Sequence, residues 1–303
     1  MINICTLADQ NFTLRFLALR DSIRKYTSDY KINLLCLDDK IYNTVKNNCE
    51  EVFCHNIKDL IESDPKLKEC QFNKPSYEAL NVCNNNAKKA QRLQFIWSLA
   101  SYYSWFCLFK QNLEDIIYVD ADIYFFQTPE KLVDLRDLGS IGLIENRVPY
   151  SAANGLYNVG IVYFKNDTPG RKCLEFWKEC LLNQNNKYAK EYGTCGDQKY
   201  LELFPKMFNK IFSFDEYVGH LAPWSVNYHK YAADKIIWNG KVQSLLFYHF
   251  SNFSVDFKNK SYIPASRHGI LNIKNNIFVS SLYDQYFKNL EQLNENIIWH
   301  DSV

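Results

Sequence analysis

An apolar run broken by two acids, Asp115-Ile-Ile-Tyr-Val-Asp120-Ala-Asp122-Ile-Tyr-Phe-Phe-Gln-Thr128, sets the tightest limit on what this chain can become. Ile116 to Val119 and Ile123 to Phe126 have the continuous apolar character of a central strand covered on both faces, as in α/β sheets. Two carboxylates inside such a strand cost several kcal/mol each, on the order of the usual burial penalty, unless a cation or ligand compensates them. Residues i and i+2 of a strand point to the same side, so Asp120 and Asp122 are expected to face one ion. Hard oxygen donors of this kind suit Mg²⁺ or Mn²⁺ bridging phosphates.

The rest of the chain agrees with a large α/β domain. Its 303 residues can bury a sizeable core, and 47% hydrophobic with 16% aromatic residues excludes a disordered chain. A net charge of +1 gives no overall field for nucleic acid or an anionic membrane, so no nucleic-acid partner is expected. The ten cysteines include no Cys-x-x-Cys pair and no zinc spacing, and several have apolar neighbours (Cys5, Cys36, Cys107). Buried reduced thiols in a cytoplasmic setting are the simplest expectation. The N-terminus has no basic or apolar signal region, and the stretch from Phe95 to Phe109 is too short and too serine-rich to span a bilayer.

Along the chain, Ile2 to Leu7 is expected as a strand, Phe12-Phe16-Leu19-Ile23 as a helical stripe, and Ile32 to Leu37 as a second strand, forming a β-α-β unit. Loops are expected around Asp64-Pro65 and Lys74-Pro75, then an aromatic helix over 92–110. Strands follow at 140–144 and 155–165, with a helix at 171–182 begun by Asp167-Thr-Pro-Gly. Gly193-Thr-Cys-Gly-Asp197-Gln198 is a loop opening a helix that ends near Phe204-Pro205, and Leu245 to Phe250 is a late strand. Ile277, Leu282, Tyr286, Leu290 and Leu293 mark an amphipathic C-terminal helix packed on the body. This reading gives one main domain, 1–250, and a C-terminal appendage, 251–303.

Five segments taken together resemble the nucleotide-sugar glycosyltransferases of the GT-A fold, most closely the bacterial family 8-type enzymes and related transferases of surface glycans. They are Thr6-Leu-Ala-Asp9-Gln-Asn11, Tyr118-Val-Asp120-Ala-Asp122, Tyr157-Asn158-Val-Gly160, Gly196-Asp197-Gln198, and Ala222-Pro223-Trp224 with Phe247-Tyr-His249-Phe250. The resemblance implies a Rossmann-like α/β fold, a mixed central sheet flanked by helices. It implies transfer of a hexose from a nucleoside-diphosphate sugar, UDP-sugar by default, to a glycan or lipid-linked saccharide in surface (lipopolysaccharide or capsule) polysaccharide synthesis. Retention of configuration is preferred, and peripheral contact with the inner face of the cytoplasmic membrane is an accompanying expectation, with helix 95–109 and the C-terminal helix as candidates.

Carried onto this chain, the resemblance assigns Asp120, Asp122 and His249 to the metal, with Mn²⁺ favoured by the imidazole. Thr6, Asp9 and Asn11 would hold the nucleoside, although an Asx-type turn explains Asp9 and Asn11 equally well. Asn158 and Gly160 would face the donor sugar, with an edge-strand bulge as the plainer alternative for Asn158. Asp197 and Gln198 would act at the reacting carbon, unless Asp197 only caps the following helix. Glu145 is a second carboxylate that could serve as a base, and Trp224 a ring on which a sugar could stack. Lys89 and Arg92 are solvated helix-start residues before they are phosphate contacts. The family's Gly-x-x-Lys-Pro-Trp after the histidine is replaced here by His249-Phe-Ser-Asn-Phe-Ser-Val-Asp-Phe-Lys258, which makes Lys258 the candidate for the diphosphate. Rival readings are a haloacid-dehalogenase-type phosphatase, whose Asp-x-Asp normally follows the first strand, and a non-catalytic glycan-binding or scaffold protein of the same fold.

Overall fold

The computed structural model describes residues 1–150, 155–183, 186–188, 196–265 and 275–299. The chain opens with β1 (Ile2–Ala8), α1 (Thr13–Arg24), β2 (Tyr30–Cys36), α2 (Asp39–Asn48) and β3 (Val52–Asn56). These three strands are parallel neighbours, as the β-α-β pattern required. Three short helices follow, α3 (Ile57–Ser63), α4 (Pro65–Cys70) and α5 (Tyr77–Val82), and then the long α6 (Ala87–Trp105), which runs on into a π-helical turn at Phe106–Lys110. The loop expected at Asp64-Pro65 is a one-residue joint. Asp64 ends α3 and its carboxylate caps α4 through the Lys66 and Leu67 amides, with Pro65 at the first helical position.

The acid-bearing run is not one strand. β4 (Asp115–Val119) ends before Asp120, residues 120–122 form a turn closed by Ile123 N donating to Asp120 O at 3.1 Å, and β5 (Ile123–Phe125) starts afresh. Unbroken strand pairing would have forced both carboxylates into a dry interior; the turn instead lifts them to the sheet's edge. β4 and β5 also belong to different sheets. After α7 (Glu130–Val133), the strands β6 (Ile141–Glu145) and β7 (Tyr157–Lys165), helix α8 (Thr168–Leu182) and β8 (Ile211–Ser213) complete a seven-stranded sheet of order β3-β2-β1-β4-β7-β6-β8. The later strands β9 (Gly219–Leu221), β10 (Lys230–Ala232), β11 (Lys235–Trp238) and β12 (Lys241–His249) form a second sheet, in which β12 pairs antiparallel with β5. A small hairpin, β13 (Ser254–Asp256) and β14 (Ser261–Ile263), precedes the last helix, Ile277–Asn296.

Strand alternation distributes the core. Ile116 and Tyr118 face the layer of α6 and α8, while Ile117 and Val119 face that of α1 and α2. A third cluster lies between the second sheet and the last helix, with Tyr248, Phe250, Tyr283 and Tyr286 at its centre. The last helix packs as expected, except that its apolar stripe starts at Val279, because Ile277 is 87% exposed. The region 95–109, considered for a membrane surface, is largely core, with Leu99, Tyr103 and Cys107 fully buried. Among the described residues no helix is long and apolar enough to cross a membrane, and all nine described cysteines are free thiols. Helix 198–203 is 3₁₀ rather than α, and Phe204-Pro205 opens a further short turn of helix instead of ending one.

A buried ionic network ties β6 to the second sheet. Arg147, which is fully buried, donates from Nε to Asp215 Oδ1 at 2.6 Å, and His220 Nε2 meets the same oxygen at 2.8 Å. Burial and the neighbouring Arg147 push the His220 imidazole down to about 4, and burial holds His229 down to about 4 as well. Both rings are therefore neutral in the fold but take up protons when unfolded. Stability should be complete above the ordinary imidazole value of 6.5 and fall as pH drops towards 4, by on the order of 3 kcal/mol for each ring. Urea midpoints measured from pH 7 to pH 4 should show that slope, and His229→Gln should remove about half of it, leaving the part due to His220. Asp215→Ala, which strands Arg147 without its counter-charge, should cost about 3–5 kcal/mol in the same assay at pH 7.

Candidate active site

The parallel strands β1, β2 and β4 end on one edge, with their order reversing between β1 and β4, where open α/β sheets place ligands. A cleft of about 760 Å³ lies there. The carboxyl ends of β1, β2 and β4 supply Leu7, Ala8 and Asp9, then Leu37, then Asp120 to Asp122. Antiparallel β7 brings Asn158, Val159 and Gly160 from its beginning, and β12 brings His249 from its end.

Asp120, Asp122 and His249 converge, their donor atoms all lying within 4.8 Å of one another. His249 Nε2 stands 3.0 Å from Asp122 Oδ1 and 3.6 Å from Asp120 Oδ2. Backbone bonds clip the turn into place: Asp120 N donates to Gly160 O at 2.9 Å, and Phe250 N to Asp122 O at 2.8 Å. Tyr118, two residues before Asp120 and on the same face, donates its hydroxyl to Asp120 Oδ1 at 2.9 Å. Burial disfavours charge on all three groups, yet Asp122 draws the His249 imidazole above its ordinary value. The two adjoining carboxylates thus favour a positive charge at this point of the cleft. The donor set, two carboxylates and one imidazole, fits a divalent cation of the Mn²⁺ or Mg²⁺ kind.

Gly160 is fixed by this cluster. A Cβ there would meet Asn158 Oδ1 at 2.7 Å and His249 Nδ1 at 2.8 Å, so glycine is what lets the imidazole approach β7 this closely. Asn158 sits at a register shift between β6 and β7, which makes the bulge real, but β7 is an interior strand and not an edge. Asn158 Oδ1 accepts from Gly160 N at 2.8 Å, and its Nδ2 donates to Gln198 Oε1 at 3.0 Å. Asp197 and Gln198 also line the cleft. The Asp197 side chain does not cap the helix that follows; burial and the nearby Asp120 raise its carboxyl well above the usual range. Gly193, Thr194 and Cys195 lie outside the described residues.

Asp9 adopts the Asx-type turn: Oδ1 accepts from Asn11 N at 2.9 Å, and the residue still lines the cleft. Asn11 is turned back on Asp9, and neither Asn11 nor the fully buried Thr6 lines the cleft. Trp224 does line it, its ring T-shaped to His249 (centroids 5.3 Å apart) and its Nε1 donating to Asn146 O. Lys258 lies in the exposed turn between β13 and β14, and neither it nor Lys89, Arg92 or Glu145 lines the cleft. Sequence reasoning missed Tyr118, Trp97 and Asn146. Strand periodicity could have found Tyr118. Trp97 lies against Gly196, where an added Cβ would sit 2.8 Å from the indole, and only tertiary structure reveals that.

One electrostatic fact governs the cleft. Asp9, Asp120, Asp122 and Asp197 line it, and among the described residues no lysine or arginine does. Gly160→Ala should displace the imidazole and weaken Mn²⁺ binding by about 10–100-fold, as loss of a supporting contact commonly does. Calorimetric titration with Mn²⁺, alongside an unchanged far-UV spectrum, checks this.

Residues 3–207 match the family model described as Glycosyl transferase family 8. Uncharacterized protein YfnF of Bacillus subtilis (strain 168) is 24% identical over 266 residues, spanning 83% of this chain and 81% of its own. Uncharacterized protein YfnD of the same strain is 22% identical over 259 residues, spanning 82% of this chain and 77% of its own. Among solved structures, apo mouse xyloside xylosyltransferase 1 superposes with a TM-score of 0.55 at 12% identity, covering 83% of this chain and 98% of that one. The galactosyltransferase LgtC in complex with donor and acceptor sugar analogues gives 0.52 at 10% identity, covering 97% and 99%. The fold they share with this chain is GT-A.

Proposed function

The chain belongs to glycosyl transferase family 8 and is a glycosyltransferase, and from that premise we propose that it moves a hexose from a UDP-sugar, with Mn²⁺ or Mg²⁺, to a glycan or lipid-linked saccharide acceptor. The process proposed is surface-polysaccharide assembly at the cytoplasmic side of the membrane. The acidic cleft carries this reading. A nucleoside diphosphate is an anion, and the described lining residues meet it with four carboxylates and no lysine or arginine. A divalent cation held by Asp120, Asp122 and His249 would reverse that sign where the phosphates lie. LgtC, a galactosyltransferase, is the precedent for a hexose donor, and xyloside xylosyltransferase 1 is the precedent for a pentose.

In this scheme Leu7, Leu37 and the Asp9 turn receive the nucleoside, and Thr6 and Asn11 act through the shape of that turn. Asp120, Asp122 and His249 would hold the divalent ion, which supplies Lewis acidity towards the leaving diphosphate. Asn158 and the Gly160 backbone face the donor sugar, Asp197 and Gln198 stand beside the reacting carbon, and Trp224 offers an aromatic edge to a sugar ring. Retention of configuration is proposed on the family resemblance, with the leaving phosphate accepting the acceptor's proton; of the two carboxylates that could act as a base instead, Asp197 lines the cleft and Glu145 does not. Lys258, exposed in its hairpin turn, is left without a part in binding the diphosphate.

Calorimetric titration with UDP, GDP, CMP and dTDP, each with and without Mn²⁺, tests the reading. UDP should bind only in the presence of Mn²⁺, and Asp122→Ala should weaken that binding at least 100-fold, the loss of a direct ligand exceeding the 10–100-fold typical of outer-shell changes. Binding indifferent to metal and to Asp122 would sink the proposal.

A further inference from the structure

Asn146 follows directly on the end of β6, is 6% exposed, and uses every polar atom it has. Its backbone N donates to Leu156 O at 2.8 Å and its backbone O accepts from Trp224 Nε1 at 3.1 Å. Nδ2 donates to Gly155 O and Tyr157 O, both at 3.1 Å, and Oδ1 accepts from Asn158 Nδ2 at 3.2 Å. Carbonyl oxygens cannot donate, so the two backbone partners of Nδ2 determine which way round the Asn146 amide lies.

The same logic runs one residue further. The Gly160 N–H cannot accept, so Asn158 must turn Oδ1 towards it at 2.8 Å. That leaves Nδ2 to face both Asn146 Oδ1 and Gln198, and Gln198 answers with Oε1 at 3.0 Å. Backbone groups therefore fix the orientation of the Asn146 and Asn158 amides, and Asn158 in turn that of Gln198. Position 146 is itself held firmly. Arg147 next to it adopts a left-handed φ of +52°, kept there by the bond to Asp215 Oδ1 and by bonds to the His220, Asp215 and Val218 carbonyls.

We propose that Asn146 is a positioning residue for glycosyl transfer: through Asn158 it commits the Gln198 amide oxygen, and through its own carbonyl it sets the Trp224 indole against the cleft wall. It lines the cleft itself and joins the two polar groups beside the donor sugar to the aromatic ring near His249. This role presupposes the donor-sugar placement proposed above. A misplacement of about 1 Å near reacting atoms can cost on the order of 100-fold in rate.

Asn146→Ala and Asn146→Asp test it, with Trp224→Phe as a third variant that keeps a ring but loses the indole N–H. For each, UDP affinity and stoichiometry in Mn²⁺ are measured by calorimetry, and hydrolysis of UDP-glucose and UDP-galactose is expressed per titrated UDP site, which removes any difference in folded fraction. UDP affinity should stay within about twofold, since the cation cluster and the Asp9 turn are untouched. The kcat per site should fall about 10–100-fold in the Asn146 variants and about threefold to tenfold in Trp224→Phe. A kcat per site within threefold of wild type in Asn146→Ala and Asn146→Asp, or in Trp224→Phe should the Asn146 variants fail to fold, overturns the role. A wild-type protein that neither binds UDP nor turns over either donor overturns the functional reading and this role with it, an outcome distinct from an active wild type with indifferent variants.

Discussion

Two carboxylates brought to one imidazole at the junction of two sheets is the constraint on which the rest of the site depends. Asp120 and Asp122 repel each other, and their separation from bulk water strengthens that repulsion. The chain resolves it by ending β4 one residue early, so that the acids occupy a turn and not a ladder, and by delivering His249 from a strand of the other sheet. Everything nearby serves this arrangement. Gly160 gives up a side chain to the imidazole, Tyr118 spends its hydroxyl on Asp120, and β5 pairs with β12 so that His249 arrives opposite Ile123.

The cleft has two kinds of wall. Leu7, Leu37, Leu93, Ile96 and Trp97 are its apolar lining, and the acids and amides its polar lining. A ligand with a flat base, a charged middle and a hydroxyl-rich end matches that division, and the charged middle falls where the cation cluster lies. Behind the polar wall, Arg147, Asp215 and His220 form a second ionic group that is wholly internal. It neutralises itself and adds no net positive charge to the cleft, which leaves the electrostatics of the site to its own acids.

Much of the fold was legible because its signals were local. The apolar stripe of α1, the Asp167-Thr-Pro-Gly opening of α8 and the β-α-β order follow from periodicity and capping, and all three appear within a residue or three of where the sequence puts them. The acid-bearing strand was misjudged for a physical reason. Hydrophobicity on both sides of Asp120-Ala-Asp122 is the same for one buried strand and for two strands in different sheets, and the backbone bond that closes the turn leaves no compositional trace. Asn146 and Trp97 were invisible for a related reason. Each matters through partners distant in sequence, Trp224 and Gly196, and an asparagine after a strand or a tryptophan in an aromatic helix is ordinary by itself.

His249 stands 127 residues beyond Asp122, at the end of the last strand of the second sheet. Whatever occupies that cluster is therefore a cross-link between the two sheets as well as a reagent. Occupancy and folding are then one linked equilibrium, in which free cation at 100 times its dissociation constant would add about 2.7 kcal/mol to the stability of the whole domain. With the cation proposed above in that cluster, the working lifetime of the protein would be coupled to the metal supply of its compartment, and starvation for the ion would withdraw structural support together with activity.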